Sequence, residues 1–363
     1  MVIFVLFTIL LLGFPMKEAM LYESMSGGSV KCNLCGRRCV IPEGKTGFCR
    51  VRRNVGGKLY SLVYSKICSV ACDPIEKKPL FHFNPGASVL SIATIGCNFR
   101  CLFCDNWVIS QEEEIYGRDL PPEKIVELAL RNDCQGISYT YTEPTIFFEY
   151  AYDTAKIAKS KGLFNTFVTN GYMTPEAVDT IAPYLDAATV DFKCSANPEA
   201  YRSLSSVFDV QPIFDCLLEL KRKGVFIEVT NLLIPGIDGW EKDLENLARW
   251  IDENLGSETP FHILRFHPDY KLYDRSSTPS YMLKKAYEIS RNSGLKHVYI
   301  GNAPELRLEN TYCPQCGQLL IERYGFQVLA YNVTEDLKCP KCGCNVNVRG
   351  RFWASGGWIR DIL

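Results

Sequence analysis

Residues 88–105 read Ser88-Val-Leu-Ser-Ile-Ala-Thr-Ile-Gly96-Cys97-Asn-Phe-Arg-Cys101-Leu-Phe-Cys104-Asp105. An apolar run, Ser88–Ile95, ends directly in three cysteines spaced C-x3-C-x2-C. The run has the composition of a buried strand. Thiolates at this spacing can wrap one iron–sulfur cluster. Three ligands for a four-iron cluster leave one iron without a protein ligand, and an open coordination position is where a metal centre does chemistry. A loop at a strand end would set that iron at the mouth of a barrel. The competing reading is three buried or zinc-binding cysteines.

Downstream, β-rich apolar runs alternate with helical patterns, the mark of βα units and a parallel sheet. Strands are expected near Val89–Ile95, Gly136–Tyr141, Phe164–Thr169, Ala188–Phe192, Phe226–Leu233 and Phe261–Phe266, with a seventh at His297–Ile300. Helices are expected over Pro122–Arg131, Phe147–Ser160 and Trp240–Asn254. Six βα units are too few for a closed eight-fold barrel. The fold class is therefore α/β, a partial (β/α)6 TIM-like barrel over residues 88–308. An N-terminal cysteine-rich module over 16–87 precedes it and a zinc-ribbon-like β module over 309–363 follows it.

Active sites of α/β barrels lie at the C-terminal ends of strands, and those ends carry the informative residues here. The second strand ends in Thr140-Tyr141-Thr142-Glu143-Pro144. Pro144 biases Glu143 toward extended backbone, holding at the rim a carboxylate able to accept from a ligand ammonium. The third ends in Thr169-Asn170-Gly171, which is also a turn signal. The fourth ends in Asp191-Phe192-Lys193, with Asp191 and Lys193 on one face; a salt-bridged pair inside the barrel is the plainer alternative. The sixth ends in Arg265-Phe266-His267-Pro268. Of four histidines, His267 is the one at a strand end, which makes it the substrate-side candidate.

Two more cysteine groups flank the barrel. Cys313-Pro-Gln-Cys316-Gly and Cys339-Pro-Lys-Cys342-Gly form paired knuckles suited to a closed, structural zinc site, with a rubredoxin-like iron site as the alternative. Cys32, Cys35, Cys39 and Cys49 are spaced C-x2-C-x3-C-x9-C, which suits one four-ligand site holding zinc or a second iron–sulfur cluster. Cys68, Cys72, Cys134, Cys194, Cys216 and Cys344 remain unassigned, Cys134 and Cys216 reading as small core residues.

The Cys97–Cys104 loop, with Phe103 before its third cysteine, resembles the signature of the radical S-adenosylmethionine (radical SAM) superfamily. That resemblance implies a partial barrel with a [4Fe-4S] cluster on Cys97, Cys101 and Cys104. It also implies S-adenosylmethionine (SAM) on the open iron, and reductive cleavage to a 5′-deoxyadenosyl radical that takes hydrogen from a substrate. Glu143 falls where the superfamily carries a Gly-Gly-Glu-like motif for the methionine amino group, with Tyr141 and Thr142 standing in for the glycines. Asn170 falls near SAM. Asp191 and Lys193 are similar to Asp-x-Lys runs of glycyl-radical activating enzymes.

The runs Cys32–Cys39, Gly44–Cys49, Asp73–Gly86 and Tyr141–Thr145, with the terminal knuckles, narrow the likeness. Over about Lys31–Gly343 the chain resembles the radical SAM component of the AmmeMemoRadiSam system, a relative of pyruvate formate-lyase activating enzymes. Implied partners are an electron donor such as flavodoxin or ferredoxin, Memo-like and AMMECR-type proteins, or a protein substrate of glycyl-radical type. Cys72 stands where the family is expected to carry another residue, either a new ligand or a simple substitution.

Composition agrees with an enzyme core. The 363 residues are 47% hydrophobic, enough for one large core. Lys+Arg 40 against Asp+Glu 41 argues against a general nucleic-acid binder. Seventeen cysteines in metal-type groups favour a reducing, cytoplasmic setting. Val2–Phe14 is apolar but shorter than the roughly 20 residues of a span, and no basic residue precedes it. It reads as a start-site artefact ahead of Met16 or a later Met, or as a weak membrane anchor. Two other functions compete. A non-catalytic zinc-ribbon interaction protein would have no need of an open cluster. An RNA-modifying radical SAM enzyme would bind RNA in a salt-sensitive way.

Overall fold

The structure, a computed structural model, describes residues 16–354 and the strand Arg360–Asp361. The apolar leader of residues 1–15 lies outside the described residues. Among the described residues no helix is long and apolar enough to cross a membrane.

Seven parallel strands form the centre: β1 (Ser88–Ala93), β2 (Gly136–Tyr139), β3 (Phe164–Thr169), β4 (Ala187–Lys193), β5 (Phe226–Leu233), β6 (Phe261–Arg265) and β7 (Val298–Gly301). Each pairs with the next in chain order. Helices cross over between them, as right-handed βαβ connections require. Burial on both faces explains the near-continuous apolar runs: Val89, Leu90, Ile92 and Ala93 of β1, and Ala187, Ala188 and Val190 of β4, are buried. Helix starts follow local chemistry. Thr174 Oγ1 accepts from Ala177 N–H at 3.2 Å ahead of Pro175, and Asn197 Oδ1 accepts from Ala200 N–H at 2.8 Å ahead of Pro198.

The expected seventh strand is present. A further strand, Ser69–Pro74, extends the sheet antiparallel to β1, and Arg360–Asp361 pairs antiparallel with it in turn. The end strands of this nine-stranded sheet are not hydrogen-bonded to each other, so the barrel is open.

Residues 75–87 pack against the inner face of β4–β7. Thr189 Oγ1 donates to the Lys78 carbonyl (2.6 Å), and His82 N–H donates to Glu228 Oε1 (2.7 Å). Phe81 meets the His262 ring edge-on at 4.7 Å. The N-terminal segment is built of short antiparallel strands. Arg52 fastens it, donating from Nη1 to both Glu149 oxygens (2.9 and 3.1 Å) on the helix Phe148–Ser160 in a fully buried ion pair. The C-terminal sheet, Thr311–Tyr312, Leu319–Tyr324 and Gln327–Tyr331, docks through buried Arg323, which donates to the Phe81 carbonyl (2.6 Å) and to Thr311 Oγ1 (2.8 Å).

Candidate active site

β1 delivers the cysteine loop to the C-terminal end of the sheet. Cys97, Cys101 and Cys104 line a cavity of about 510 Å³ together with Glu143, Asn170, Asp191, Lys193 and His267. These are all the site residues expected within the barrel. His267 is exposed at the rim and the others sit deeper.

Each cysteine sulfur has a polar neighbour. Phe99 N–H donates to Cys97 Sγ at 3.4 Å, Ser205 Oγ lies 3.3 Å from Cys101 Sγ, and Ser110 Oγ lies 3.1 Å from Cys104 Sγ. Burial pushes the Cys101 thiol up to about 11, against the pull of the Lys193 ammonium. Cys97 is held well above the usual thiol range by burial and by Glu143. Three converging thiols, opposed to ionisation until a cation neutralises them and each beside a polar group, fit an iron–sulfur cluster.

Glu143 has the extended backbone that Pro144 imposes (φ −129°, ψ 113°). Its Oε1 accepts from Thr145 N–H (3.0 Å), Thr145 Oγ1 (2.5 Å) and Thr169 Oγ1 (2.7 Å), while Oε2 accepts from Asn170 N–H (2.8 Å). Burial raises its carboxyl against these bonds. Glu143 thus clamps the end of β3 to the turn after β2, and Oε2 retains acceptor capacity. Asn170 donates from Nδ2 to Asn98 Oδ1 at 2.7 Å and accepts from Tyr172 N–H, so the Asn-Gly turn and the contact with the cluster loop are the same structure.

Asp191 and Lys193 do form the ion pair, at 3.2 Å, and it faces the cavity. Burial alone would lower the Lys193 ammonium. Asp191, and after it Cys101, outweigh burial and hold Lys193 above its usual value.

Sequence reasoning assigned no role to Lys78, although Asp73-Pro-Ile-Glu-Lys-Lys-Pro, two lysines following two acids, was the available signal. Glu76, Lys77, Lys78 and Phe81 line the inner end of the cavity. Lys78 is 2% exposed, bonded to Asp73 Oδ2 at 2.6 Å, and pushed down by burial to about 8. The Asp73 carboxyl, though burial raises it, is held well below the usual range by Lys78. Tyr141, one of the two residues standing in for glycine, adopts φ 63°. It keeps the left-handed backbone a glycine would take, and its hydroxyl donates to Asp73 Oδ2.

The two outer cysteine sets differ in spacing. Cys313, Cys316, Cys339 and Cys342 are the one set among the described residues whose ligand atoms all lie within 4.8 Å of one another. Cys313–Cys342 and Cys316–Cys339 sulfurs are each 3.6 Å apart. Gly317 and Gly343 take φ 72° and 71°, the turn each knuckle needs. Cys32, Cys35, Cys39 and Cys49 line one small cavity beside the cluster loop, more widely spaced. Of the unassigned cysteines, Cys134 and Cys216 are buried as expected, and Cys72 Sγ lies 3.3 Å from Cys134 Sγ, away from the cluster loop.

The radical SAM superfamily model matches residues 91–251. An uncharacterized protein of Methanocaldococcus jannaschii is 46% identical over 336 residues, 92% of this chain and 99% of that protein. A putative glycyl-radical enzyme activating enzyme of the same organism is 27% identical over 190 residues, 47% of this chain and 71% of that protein. A domain of pyruvate-formate lyase-activating enzyme from Bacteroides vulgatus superposes with a TM-score of 0.41 at 17% identity, over 46% of this chain and 99% of that one. With a family match that begins within β1 and takes in the whole cysteine loop, the chain belongs to the radical SAM superfamily and is an enzyme of that type.

Proposed function

We propose that this enzyme is activating-enzyme-like, holding a [4Fe-4S] cluster on Cys97, Cys101 and Cys104 and taking hydrogen from a partner protein. The observation that carries the proposal is the convergence of the three thiols, Glu143, Asn170 and the Asp191–Lys193 pair on one cavity. Held by Cys97, Cys101 and Cys104, such a cluster would supply one electron for cleavage of the SAM sulfonium bond, giving the adenosyl radical. The chain's own residues bind and orient. The free capacity of Glu143 Oε2 suits the methionine ammonium. Lys193, kept cationic, suits a carboxylate or a developing negative charge beside the cysteines. Asn170 joins the cluster loop to the SAM side. Lys78 and Phe81, deeper in the cavity, and His267 at its rim flank the space left for a substrate.

A partner protein as substrate is supported by the likeness to a putative glycyl-radical enzyme activating enzyme. The motifs along Lys31–Gly343 support membership of the AmmeMemoRadiSam system, with Memo-like and AMMECR-type proteins as partners. An oxygen-sensitive cluster fed by flavodoxin or ferredoxin supports a cytoplasmic setting. For the C-terminal cysteines the reading is a single tetrahedral ion, taken as structural zinc: a Zn–S bond of about 2.3 Å puts sulfurs roughly 3.8 Å apart, close to the observed 3.6 Å.

The test is anaerobic. The protein is reconstituted with iron and sulfide, given SAM and dithionite, and assayed for 5′-deoxyadenosine. Its formation, and its absence in Cys97→Ala, supports the reading. An intact cluster that yields none, even with the candidate partner proteins added, overturns it.

A further inference from the structure

We propose that Cys32, Cys35, Cys39 and Cys49 hold a second [4Fe-4S] cluster, fully ligated by protein and set beside the first.

Spacing is the first argument. A zinc ion draws four thiolates together as the C-terminal set is drawn. A four-iron cluster interposes its own metal–sulfide cage and needs its thiolates farther apart. By that internal standard the N-terminal four resemble Cys97, Cys101 and Cys104, and not the C-terminal four, the one set among the described residues whose sulfurs all lie within 4.8 Å of one another. The N-terminal four line one small cavity together with Arg37, Arg52 and Asn98.

Unpartnered donors are the second argument. Five buried side-chain nitrogens among the described residues have no hydrogen-bond partner, and three of them belong to residues lining this cavity: Arg37 Nη2, Arg52 Nε and Asn98 Nδ2. Arg52 is 1% exposed and Asn98 is 0% exposed. A buried donor left unsatisfied costs about 1–3 kcal/mol, so three around one hole point to a missing acceptor. A [4Fe-4S] cage with four thiolates carries net negative charge and adds four sulfide acceptors. Two arginines and an amide supply matching donors and charge.

Placement gives the cluster its use. Asn98 lines this cavity while its chain neighbour Cys97 lines the active-site cavity, and Asn98 Oδ1 lies 3.8 Å from Cys97 Sγ. Arg37 Nε donates to the Asn98 carbonyl at 3.0 Å. One residue therefore separates the two centres. An electron from a low-potential one-electron carrier reduces the outer cluster by one. Its passage inward reoxidises that cluster and reduces the inner one by one, with no bond made or broken. This relay, unlike the site, rests on the SAM-cleaving reading.

The site is tested without SAM. The variant Cys97→Ala/Cys101→Ala/Cys104→Ala, reconstituted anaerobically with ferrous iron and sulfide, is expected to keep about four acid-labile sulfides per chain and a reduced-state cluster signal in electron paramagnetic resonance. Wild type is expected to hold twice as many, and Cys32→Ser/Cys39→Ser to halve that number. Wild type with only one cluster's worth of sulfide and two zinc ions per chain overturns the proposal, whether or not the variants fold, and leaves the first cluster untouched. For the relay, Cys32→Ser/Cys39→Ser is expected to lower the ratio of flavodoxin-supported to dithionite-supported SAM cleavage at least about tenfold. An unchanged ratio overturns the relay.

Discussion

The Tyr141 hydroxyl and the Lys78 ammonium both bind one oxygen of Asp73, Oδ2, so a residue following β2 is tied to the strand that precedes β1. Asp73 lies opposite Val89, near the start of β1, so the tyrosine side chain turns back along the inside of the sheet. Lys78 Nζ lies 4.4 Å from the ring centroid and closes the triangle. This tie offsets the strain of a non-glycine residue at φ 63°.

Tyr141→Phe removes the hydroxyl but keeps the ring. We expect a loss of roughly 1.5–3 kcal/mol in unfolding free energy, the range for a hydrogen bond to a charged group, and a raised KM for SAM because the following residues carry Glu143. Denaturant titration and SAM-dependent kinetics check this. An unchanged unfolding midpoint together with unchanged KM would show that the left-handed turn stands without Asp73.

Glu143→Gln places an amide N–H against donors. Either Asn170 N–H or the Thr145 and Thr169 donors lose their acceptor. Loss of a charge-assisted contact to the methionine ammonium, roughly 1.5–3 kcal/mol, corresponds to a ten- to hundredfold weaker affinity. Equilibrium dialysis with SAM measures it. Wild-type affinity in a folded variant would remove Glu143 from the ligand's neighbours.

Cys97→Ala, Cys101→Ala and Cys104→Ala should each abolish 5′-deoxyadenosine formation while one zinc per chain stays at Cys313, Cys316, Cys339 and Cys342. The two sites share no residue. Metal analysis alongside the activity assay tests both halves, and full cleavage by any of the three would defeat the cluster assignment.

Glu76 predicts a pH dependence. Its Oε1 accepts from Gly86 N–H at 2.9 Å, but Oε2 is buried without a partner, and Arg323 Nε at 4.0 Å is beyond hydrogen-bond reach. Burial raises its carboxyl to about 7. A group that binds its proton more tightly when folded makes the native state lose stability as pH rises from its unfolded value, near 4.5, to its folded one. Glu76→Gln keeps the acceptor and removes the charge. It should melt near wild type at pH 5 and above wild type at pH 8. Equal melting temperatures across that range would mean that Arg323 keeps Glu76 ionised.

Much of the fold could be read directly. Gly136, Phe164 and Phe226 start strands where expected, and Trp240–Asn254 is a helix with the expected bounds. These segments are buried or amphipathic along their whole length, so period and composition suffice. The candidate residues at strand ends share one cavity because parallel strands deliver their C-terminal ends to one side. What stayed hidden depends on contacts far apart in the chain. Ser69–Pro74 joins the sheet antiparallel to β1, a pairing that leaves no local mark in the sequence. Lys78 becomes a site residue only because residues 75–87 fold across β4–β7. Tyr141 reads as a departure from a glycine motif until its backbone angle and the distant Asp73 are both known.

Gly325 and Phe326, at the turn joining the last two strands of the C-terminal sheet, form part of the wall of the active-site cavity. A metal held by Cys313, Cys316, Cys339 and Cys342, whose ligands never touch the reaction, would thus help shape the chamber in which it runs. Withdrawing that ion with a chelator should act as remote inhibition, loosening one wall of the chamber while every iron stays in place.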